Sequence, residues 1–427
     1  MKKPELLMPA GSLPVLKVAV IYGADAVYIG GEAFSLRAGA KNFTIDEIKE
    51  GIAFAHERGA KVYITANIYA HNRDLPEVEE YFKELSAVCP DGVLISDPGV
   101  FAIARRVMPD MDIHISTQAN NTNYETFNFW YGLGVRRVVC ARELSLAEIA
   151  QIRANIPEDM EIEAFVHGAM CISYSGRCLL SAYMTGRSAN EGACTHPCRW
   201  KYGLEEESRP GQYMPVYENG RGTYIFNSKD LCMIEHLPEM IEAGIDSLKV
   251  EGRMKSALYV ASVGRTYRMA VDDYCKALQE AEGGSPSDIL QEAGRVYAGK
   301  IPFYKSEISK CTYREYTTGF FFGKPDETAQ IYDASTYVKE WVYLGRITDD
   351  KRKKDGRIWY GLEQKNKFCV GDTVEVMKPS GGNQTLTVLD MEDEEGNKIP
   401  SCPHPKQHFY VDLGAALEPY DIIRYKP

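Results

Sequence analysis

Over the first 250 positions short strand-like runs, several of them with apolar residues at every second position, alternate with longer stretches in which apolar residues recur every third or fourth. The short runs are 6–8, 26–30, 61–67, 91–97, 112–118, 136–143, 161–167 and 246–253. Two-residue alternation is the mark of a strand with one side against a core. Between them, 13–22, 45–57, 75–87 and 144–154 carry apolar residues at helical spacing, with Ser12, Thr44 and Ser145 placed as N-caps. Strand alternating with helix eight times predicts a closed parallel (β/α) barrel of the TIM type, an open doubly wound sheet being the other arrangement such alternation allows.

Alternate strand residues of a barrel point into the lumen and the others toward the helices. Four strands separate cleanly on that rule. The helix-facing sets are Val62/Ile64/Ala66, Ile113/Ile115/Thr117, Ile162/Ala164/Val166 and Leu248/Val250, and the lumen-facing sets are Tyr63/Thr65/Asn67, His114/Ser116/Gln118, Glu163/Phe165/His167 and Lys249/Glu251/Arg253. A structural lumen is filled with Val, Ile and Leu, so polar residues gathering toward the carboxyl ends of strands predict a site at that face. The competing reading is a satisfied buried polar network.

The seventh and eighth strands are separated by about eighty residues, where a βα connection usually takes far fewer. The barrel is therefore expected over 1–256, with an insertion over 168–245 that emerges at the same carboxyl face. A helical connector follows over 257–309, with long helical spacing from about residue 257 to 281. From 310 to 427 short β-rich runs alternate with polar turns, which predicts a small C-terminal all-β barrel.

The insertion changes the chemistry. Five of the eleven cysteines, Cys171, Cys178, Cys194, Cys198 and Cys232, fall within it. The amino terminus lacks the apolar run of a signal peptide, and no eighteen-residue apolar segment occurs, which predicts a soluble cytoplasmic protein with no membrane partner. In that reducing setting a cysteine cluster points to a metal or to redox work rather than to disulfides. The spacing is neither a zinc-finger nor a ferredoxin pattern, so an iron-sulfur cluster, a zinc ion and unliganded thiols all stay open. Cys311, Cys369 and Cys402 are scattered and read as buried or incidental. A net charge of -11 argues against a generally basic nucleic-acid binder. Local basic stretches remain, at Arg199 with Lys201 and at Lys351–Lys354.

The segment EAFVHGAMCISYSGRCLLS (163–181) resembles the signature of the collagenase-like peptidase family of unknown catalytic type. The likeness extends to LMPAGS (7–12), YIGGEAFSLRAGAKNF (28–43), GRSANEGACTHPCRWKY (186–202), SLKVEGRMKS (247–256) and REYTTGFFFG (314–323). The resemblance implies a barrel carrying a cysteine-rich insertion and, in longer members, a small β-barrel. It further implies hydroxylation of the tRNA wobble uridine with prephenate as the hydroxyl source, and a 4Fe-4S cluster on Cys171, Cys178, Cys194 and Cys232. Cys198 also occupies a family cysteine position. Within that expectation His167, Lys249 and Glu251 handle protons, Arg37 and Arg253 bind the small dicarboxylate, and Asn67 and Gln118 bind substrate or base. Arg199-Trp200-Lys201-Tyr202 is placed to stack on an anticodon loop. Two other readings stand beside this one. The first is proteolysis by Cys171 with His167 as base, although the chain has no H-E-x-x-H or G-x-S-x-G motif. The second is a cluster-bearing subunit that works with a homologous partner chain, acting on rRNA or a quinone precursor.

Overall fold

The first strand is Glu5–Pro9 (β1), in which Leu6, Leu7 and Met8 are fully buried although their side chains alternate in direction. A strand buried on both faces belongs to a parallel sheet covered by helices. The computed structural model describes residues 2–32, 34–35, 42–171, 173–200, 204–205, 213–214, 228–281, 285–325, 337–354, 356–404 and 406–427.

After β1 come α1 (Leu13–Ile21), β2 (Ala26–Gly30), α2 (Ile45–His56), β3 (Lys61–Ala66), α3 (Leu75–Val88), β4 (Gly92–Ile95) and α4 (Pro98–Val107). Then follow β5 (Ile113–Ile115), α5 (Tyr124–Gly132), β6 (Arg137–Val139), α6 (Leu146–Ala154) and β7 (Glu161–Ala169). The insertion contributes α7 (Leu180–Thr185) and the short antiparallel pair β8 (Leu204–Glu205) and β9 (Tyr213–Met214). It ends with β10 (Asp230–Cys232), and α8 (Leu237–Glu242) leads to β11 (Ser247–Val250), the eighth barrel strand. Parallel neighbours run from β11 through β1 to β7, and β7 pairs with β11, so the barrel is closed. All eight predicted strands are present.

Thr44 and Ser145 cap α2 and α6 in capping boxes with Glu47 and Glu148. Ser12 makes no side-chain cap bond, since Pro14 lacks an N–H and the Val15 N–H is taken by the Ser12 carbonyl at 3.0 Å. The helix-facing residues named above, from Val62 to Val250 and apart from Thr117, belong with the helices to one large core. Each fully buried aliphatic side chain in it contributes about 1.5–3 kcal/mol. Lumen-facing Leu7, Ala26, Tyr28, Tyr63 and Leu94 form a separate small cluster inside the barrel.

The helices after the barrel are more than a connector. The long α9 (Ala257–Glu280), α10 (Pro286–Ala298) and α11 (Ile301–Ile308) pack into the barrel's own core through Tyr267, Tyr274, Tyr297 and Tyr304. Residues just past 310 also stay with the barrel. There β12 (Tyr316–Thr317) pairs with β10, which itself pairs antiparallel with the end of β7. The C-terminal β region is a seven-stranded antiparallel sheet of β13 (Val342–Lys354), β14 (Arg357–Gln364), β15 (Thr373–Met377), β16 (Gln384–Thr387), β17 (Asp390–Glu392), β18 (His408–Asp412) and β19 (Ile422–Tyr425) around one core of its own. It is fixed to the helices by a buried ion network: the fully buried Arg424 reaches Glu375 at 2.7 Å and Glu307 at 3.1 Å.

Candidate active site

Strand ends set the site. Where β3, β5, β6, β7 and β11 stop, the chain turns out of the barrel, and the side chains at these ends line a cavity of about 510 Å³, a size suited to a small molecule. Lys249, in β11, sits just below the rim with Nζ 2.6 Å from Glu163 Oε1, both side chains almost fully buried. Its ammonium also lies 4.5 Å from the Tyr28 ring centroid. Burial lowers the Lys249 pKa, and the opposing pull of Glu163 offsets only part of that. Just past β11, Glu251 accepts from Arg142 Nη2 at 3.0 Å, and Arg253 Nη1 donates to Ser35 Oγ and to Thr65 Oγ1 at 3.1 Å.

Asn67 Nδ2 lies 3.3 Å from Ser116 Oγ, and both residues line the cavity. Strand β5 ends at Ile115, so Gln118 is placed by the one-turn 3-10 helix Thr117–Ala119 rather than by strand alternation. Its Oε1 is buried without a hydrogen-bond partner among the described residues. Thr117, expected on the helix side, lines the cavity for the same reason.

Two residues expected in the site lie elsewhere. Phe165 pairs with Lys249 and His167 pairs with Val250, so β7 spends two residues where β11 spends one. Val166 is the extra residue of a bulge, and a bulge reverses the alternation beyond it. His167 therefore leaves the lumen for a box of aromatic rings, Tyr259, Tyr267 and Tyr316, with centroids 5.5–5.9 Å away. There it is buried, its Nδ1 has no hydrogen bond, and burial followed by the Lys255 charge pushes its pKa down to about 3. No Cys171–His167 nucleophile and base pair forms. Cys232 is displaced with it. It lies on β10, opposite His167, in a buried position where its Sγ approaches Tyr267 Oη at 4.0 Å, and burial raises its pKa to about 12. Cys232 does not reach the cavity.

Cys171, Cys178, Cys194 and Cys198 do line it, all as unpaired thiols. Burial raises the Cys198 pKa, Arg199 opposes that, and the charges of Cys171, Cys194 and Cys178 add to the rise, so the four are electrostatic neighbours. Four thiols on one wall are the donor set that thiolate-ligated metals and clusters take. Among the described residues no three His, Cys, Asp or Glu side chains converge closely enough to hold a metal ion as they stand. Arg37 lies outside the described residues, as do Lys201 and Tyr202.

Two arginines of the site do not stand out in the sequence. Arg142, three residues beyond β6, donates to the Ala169 carbonyl at 2.8 Å and lies 4.0 Å from the Phe165 ring centroid. Its signal is its position, which beyond β6 is equivalent to that of Arg253 beyond β11. Arg314 arrives from past residue 310, buried beside Asp230 and Tyr337. Among the described residues Arg142, Arg199, Lys249, Arg253, Lys255 and Arg314 line the cavity against one carboxylate, Glu251. Even with Glu163 and Asp230 behind them the basic groups are in surplus, in a chain whose net charge is -11. Such a lining gives the cavity a positive potential, which favours an anion. Among the described residues no helix is long and apolar enough to cross a membrane.

Comparison with known proteins agrees with this architecture. The model of peptidase family U32 matches residues 11–331, and that of the U32 C-terminal domain matches 339–424. The tRNA hydroxylation protein P1 of Bacillus subtilis (strain 168) is 40% identical across 99% of this chain and 95% of its own. The tRNA hydroxylation protein P of Escherichia coli (strain K12) is 38% identical across 98% of this chain and 95% of its own. The 23S rRNA 5-hydroxycytidine C2501 synthase of E. coli is 31% identical across 78% of this chain and 47% of its own. With both models matched in order along nearly its whole length, this chain belongs to peptidase family U32.

Proposed function

We propose that this chain hydroxylates tRNA, placing a hydroxyl group on C5 of the wobble uridine with prephenate as its source, and that Cys171, Cys178, Cys194 and Cys198 hold an iron-sulfur cluster. The observation that carries the reading is the joining of a thiol wall to a basic surplus in one cavity at the carboxyl ends of a barrel. Near-full-length relatives named as tRNA hydroxylation proteins support the reaction class.

Prephenate is a dianion built on a six-membered ring, and the cavity offers both halves of a complement. Arg142 and Arg253 present planar donors to carboxylates, while Tyr28, Leu94 and Phe165 supply an apolar wall. Uracil has an N–H donor on its pairing edge, and the unpartnered Gln118 Oε1 is an acceptor for it. Replacing the C5 hydrogen by a hydroxyl group is a two-electron oxidation in which one proton leaves, and a bound cluster would pass the two electrons on to an external one-electron acceptor. Glu251, a carboxylate that lines the cavity, is suited to take that proton, and the buried Lys249 ammonium, held against Glu163 with its pKa lowered by burial, is suited to give one up. A bound cluster would supply one-electron chemistry at this wall, and loading it would require the segments carrying the four thiols to draw together.

Two measurements test this. Nucleoside analysis of tRNA from a strain lacking the gene should show loss of 5-hydroxyuridine derivatives, and unchanged nucleosides sink the function. Protein purified without oxygen should contain iron and sulfide, lose them in Cys198→Ala and keep them in Cys232→Ala. Zinc alone, or no metal, overturns the cluster, and the opposite mutant pattern overturns the ligand set.

A further inference from the structure

Beside the main cavity a second, shallower pocket of about 340 Å³ opens between Tyr69, His71, Arg177, Leu179, Ser188 and Asn190. The two pockets share Gly176 and Asn190 as a common wall. That wall is tight: Gly176 has φ +71°, and a Cβ there would come within 2.5 Å of the Tyr69 ring and 2.6 Å of Gln118 Oε1. The Arg177 guanidinium lies 5.5 Å from the Tyr69 ring centroid, and the side chain is exposed.

The segment that carries Arg177 and Leu179 of this opening is unlike the rest of the chain. Of the sixteen exposed large hydrophobic side chains among the described residues, five fall between positions 174 and 200: Tyr174, Leu179, Tyr183, Met184 and Trp200. Tyr183 on α7 is 86% exposed. Interleaved with them are Arg177, Arg187 and Arg199, while the stretch 171–200 contains a single carboxylate residue, Glu191. Exposed aromatic faces among arginines are what single-stranded nucleic acid requires, because every base has a face to stack and every linkage carries a charge. Aromatic residues, Met and Arg are also enriched at protein interfaces, and what favours RNA here is the excess of arginines over the single carboxylate residue. A protein seated on this patch would also seal the mouth of the main cavity.

We propose that the second pocket is a subsite for the nucleotide next to the modified base, so that a single-stranded RNA loop enters with one base in the main cavity, its neighbour against Tyr69 and Arg177, and Tyr183 as an outer stacking platform. This rests on the reading of the main cavity as an RNA-modifying site. A base must leave its stack to enter a cavity of this kind, so the chain selects a loop over a duplex.

The test is fluorescence anisotropy with a labelled anticodon stem-loop RNA and a labelled RNA duplex of equal length, on the full chain and on Arg177→Glu and Tyr183→Ala. Each variant should bind the stem-loop about tenfold more weakly. Arg177→Glu should also flatten the salt dependence, by about 0.7 in the slope of log affinity against log salt for each phosphate that is no longer neutralised. Prephenate binding by calorimetry should be unchanged, showing that the main cavity is intact. Because Tyr183 is so exposed, its variant decides the matter even if Arg177→Glu disturbs the loop. Wild-type RNA affinity in both variants overturns the proposal, and a simultaneous change of molecular mass in light scattering would reassign the patch to a protein interface. Tight binding of the duplex by the wild type overturns it as well. If RNA binding falls in the variants while tRNA nucleosides are unchanged in the deletion strain, the subsite stands and only the hydroxylation reading is lost.

Discussion

The two ends of the barrel lumen are both lined by charged side chains, yet they are built in opposite ways. At the amino ends Arg137, the first residue of β6, bonds Glu161, the first of β7, at 2.6 Å and Glu5, the first of β1, at 3.2 Å. Glu5 also accepts from Tyr63 Oη at 2.8 Å and from Ser247 Oγ at 3.0 Å. Burial would lower the Arg137 pKa, but Glu5 and Glu163 outweigh it and the net direction is upward. Its charge is satisfied from within. At the carboxyl ends, among the described residues, six basic groups face one carboxylate, a surplus that the proposed ligand would balance. Burying an unbalanced charge is costly, so a fold tolerates a surplus only where something else supplies the balance. One end is a closure and the other is a site.

The sharpest way to break this comparison is to remove Arg137. Arg137→Leu takes from the partly buried Glu5 its cation among the described residues and leaves Glu163 with Lys249 and Glu161 with the exposed Lys2, and breaking a buried pair from one side costs about 3–5 kcal/mol. Urea denaturation should show that loss, while the surviving folded protein should bind prephenate, the ligand proposed above, as the wild type does. A stable variant with weakened ligand binding would mean that the two ends are one functional network.

His167 sharpens the comparison from a third position, outside the lumen. Its folded pKa, about 3, lies below the unfolded value near 6.5, so between those values the unfolded chain binds more protons. Stability therefore rises with pH across that window and is lost as pH falls from about 6.5 toward 3. The slope from one such group is about 1.4 kcal/mol per pH unit, or about 2 kcal/mol by pH 5. His114, also buried and also held well below its ordinary pKa by burial, acts in the same direction. His167→Phe should thus remove one proton's share of the acid destabilisation and leave His114's share. An unchanged pH slope would show that His167 is solvated and that the bulge does not hide it.

What the sequence makes legible follows from the range of the forces involved. Strand and helix periods are local, so all eight barrel strands can be read as short runs between helical segments, and the face that carries the candidate site from alternation in four of them. The bulge at Val166 cannot, because it is defined only by the partner strand, and it takes His167 out of the site. Cys232 is misplaced for a related reason: β10 returns antiparallel against the end of β7, a pairing across some sixty residues that spacing does not reveal. The helices from 257 to 308 have the apolar face of core elements, but nothing local says which core they complete. Arg314 is unreadable as a site residue because it lies past the boundary at 310, where the composition turns β-rich before the packing changes.

The smallest effect concerns the surplus itself. Lys255 lines the cavity, and among the described residues its ammonium meets the Tyr337 and Tyr259 rings, at 4.5 and 5.0 Å, rather than a carboxylate. Removing it takes away one positive charge without stranding a negative one. Lys255→Ala should cost only about 0.5–1 kcal/mol of stability, the worth of a partly exposed cation–π interaction. It should weaken prephenate binding about tenfold, close to 1.4 kcal/mol, and Lys255→Arg should restore most of that affinity. Calorimetric titration and urea denaturation on the same samples separate the two effects. If stability falls by several kcal/mol while affinity holds, Lys255 belongs to the closed architecture of the other end, and the surplus at the carboxyl face is smaller than its lining side chains imply. If affinity falls alone, the excess charge is held in reserve for the ligand, which is what distinguishes this end of the barrel from the one sealed by Arg137.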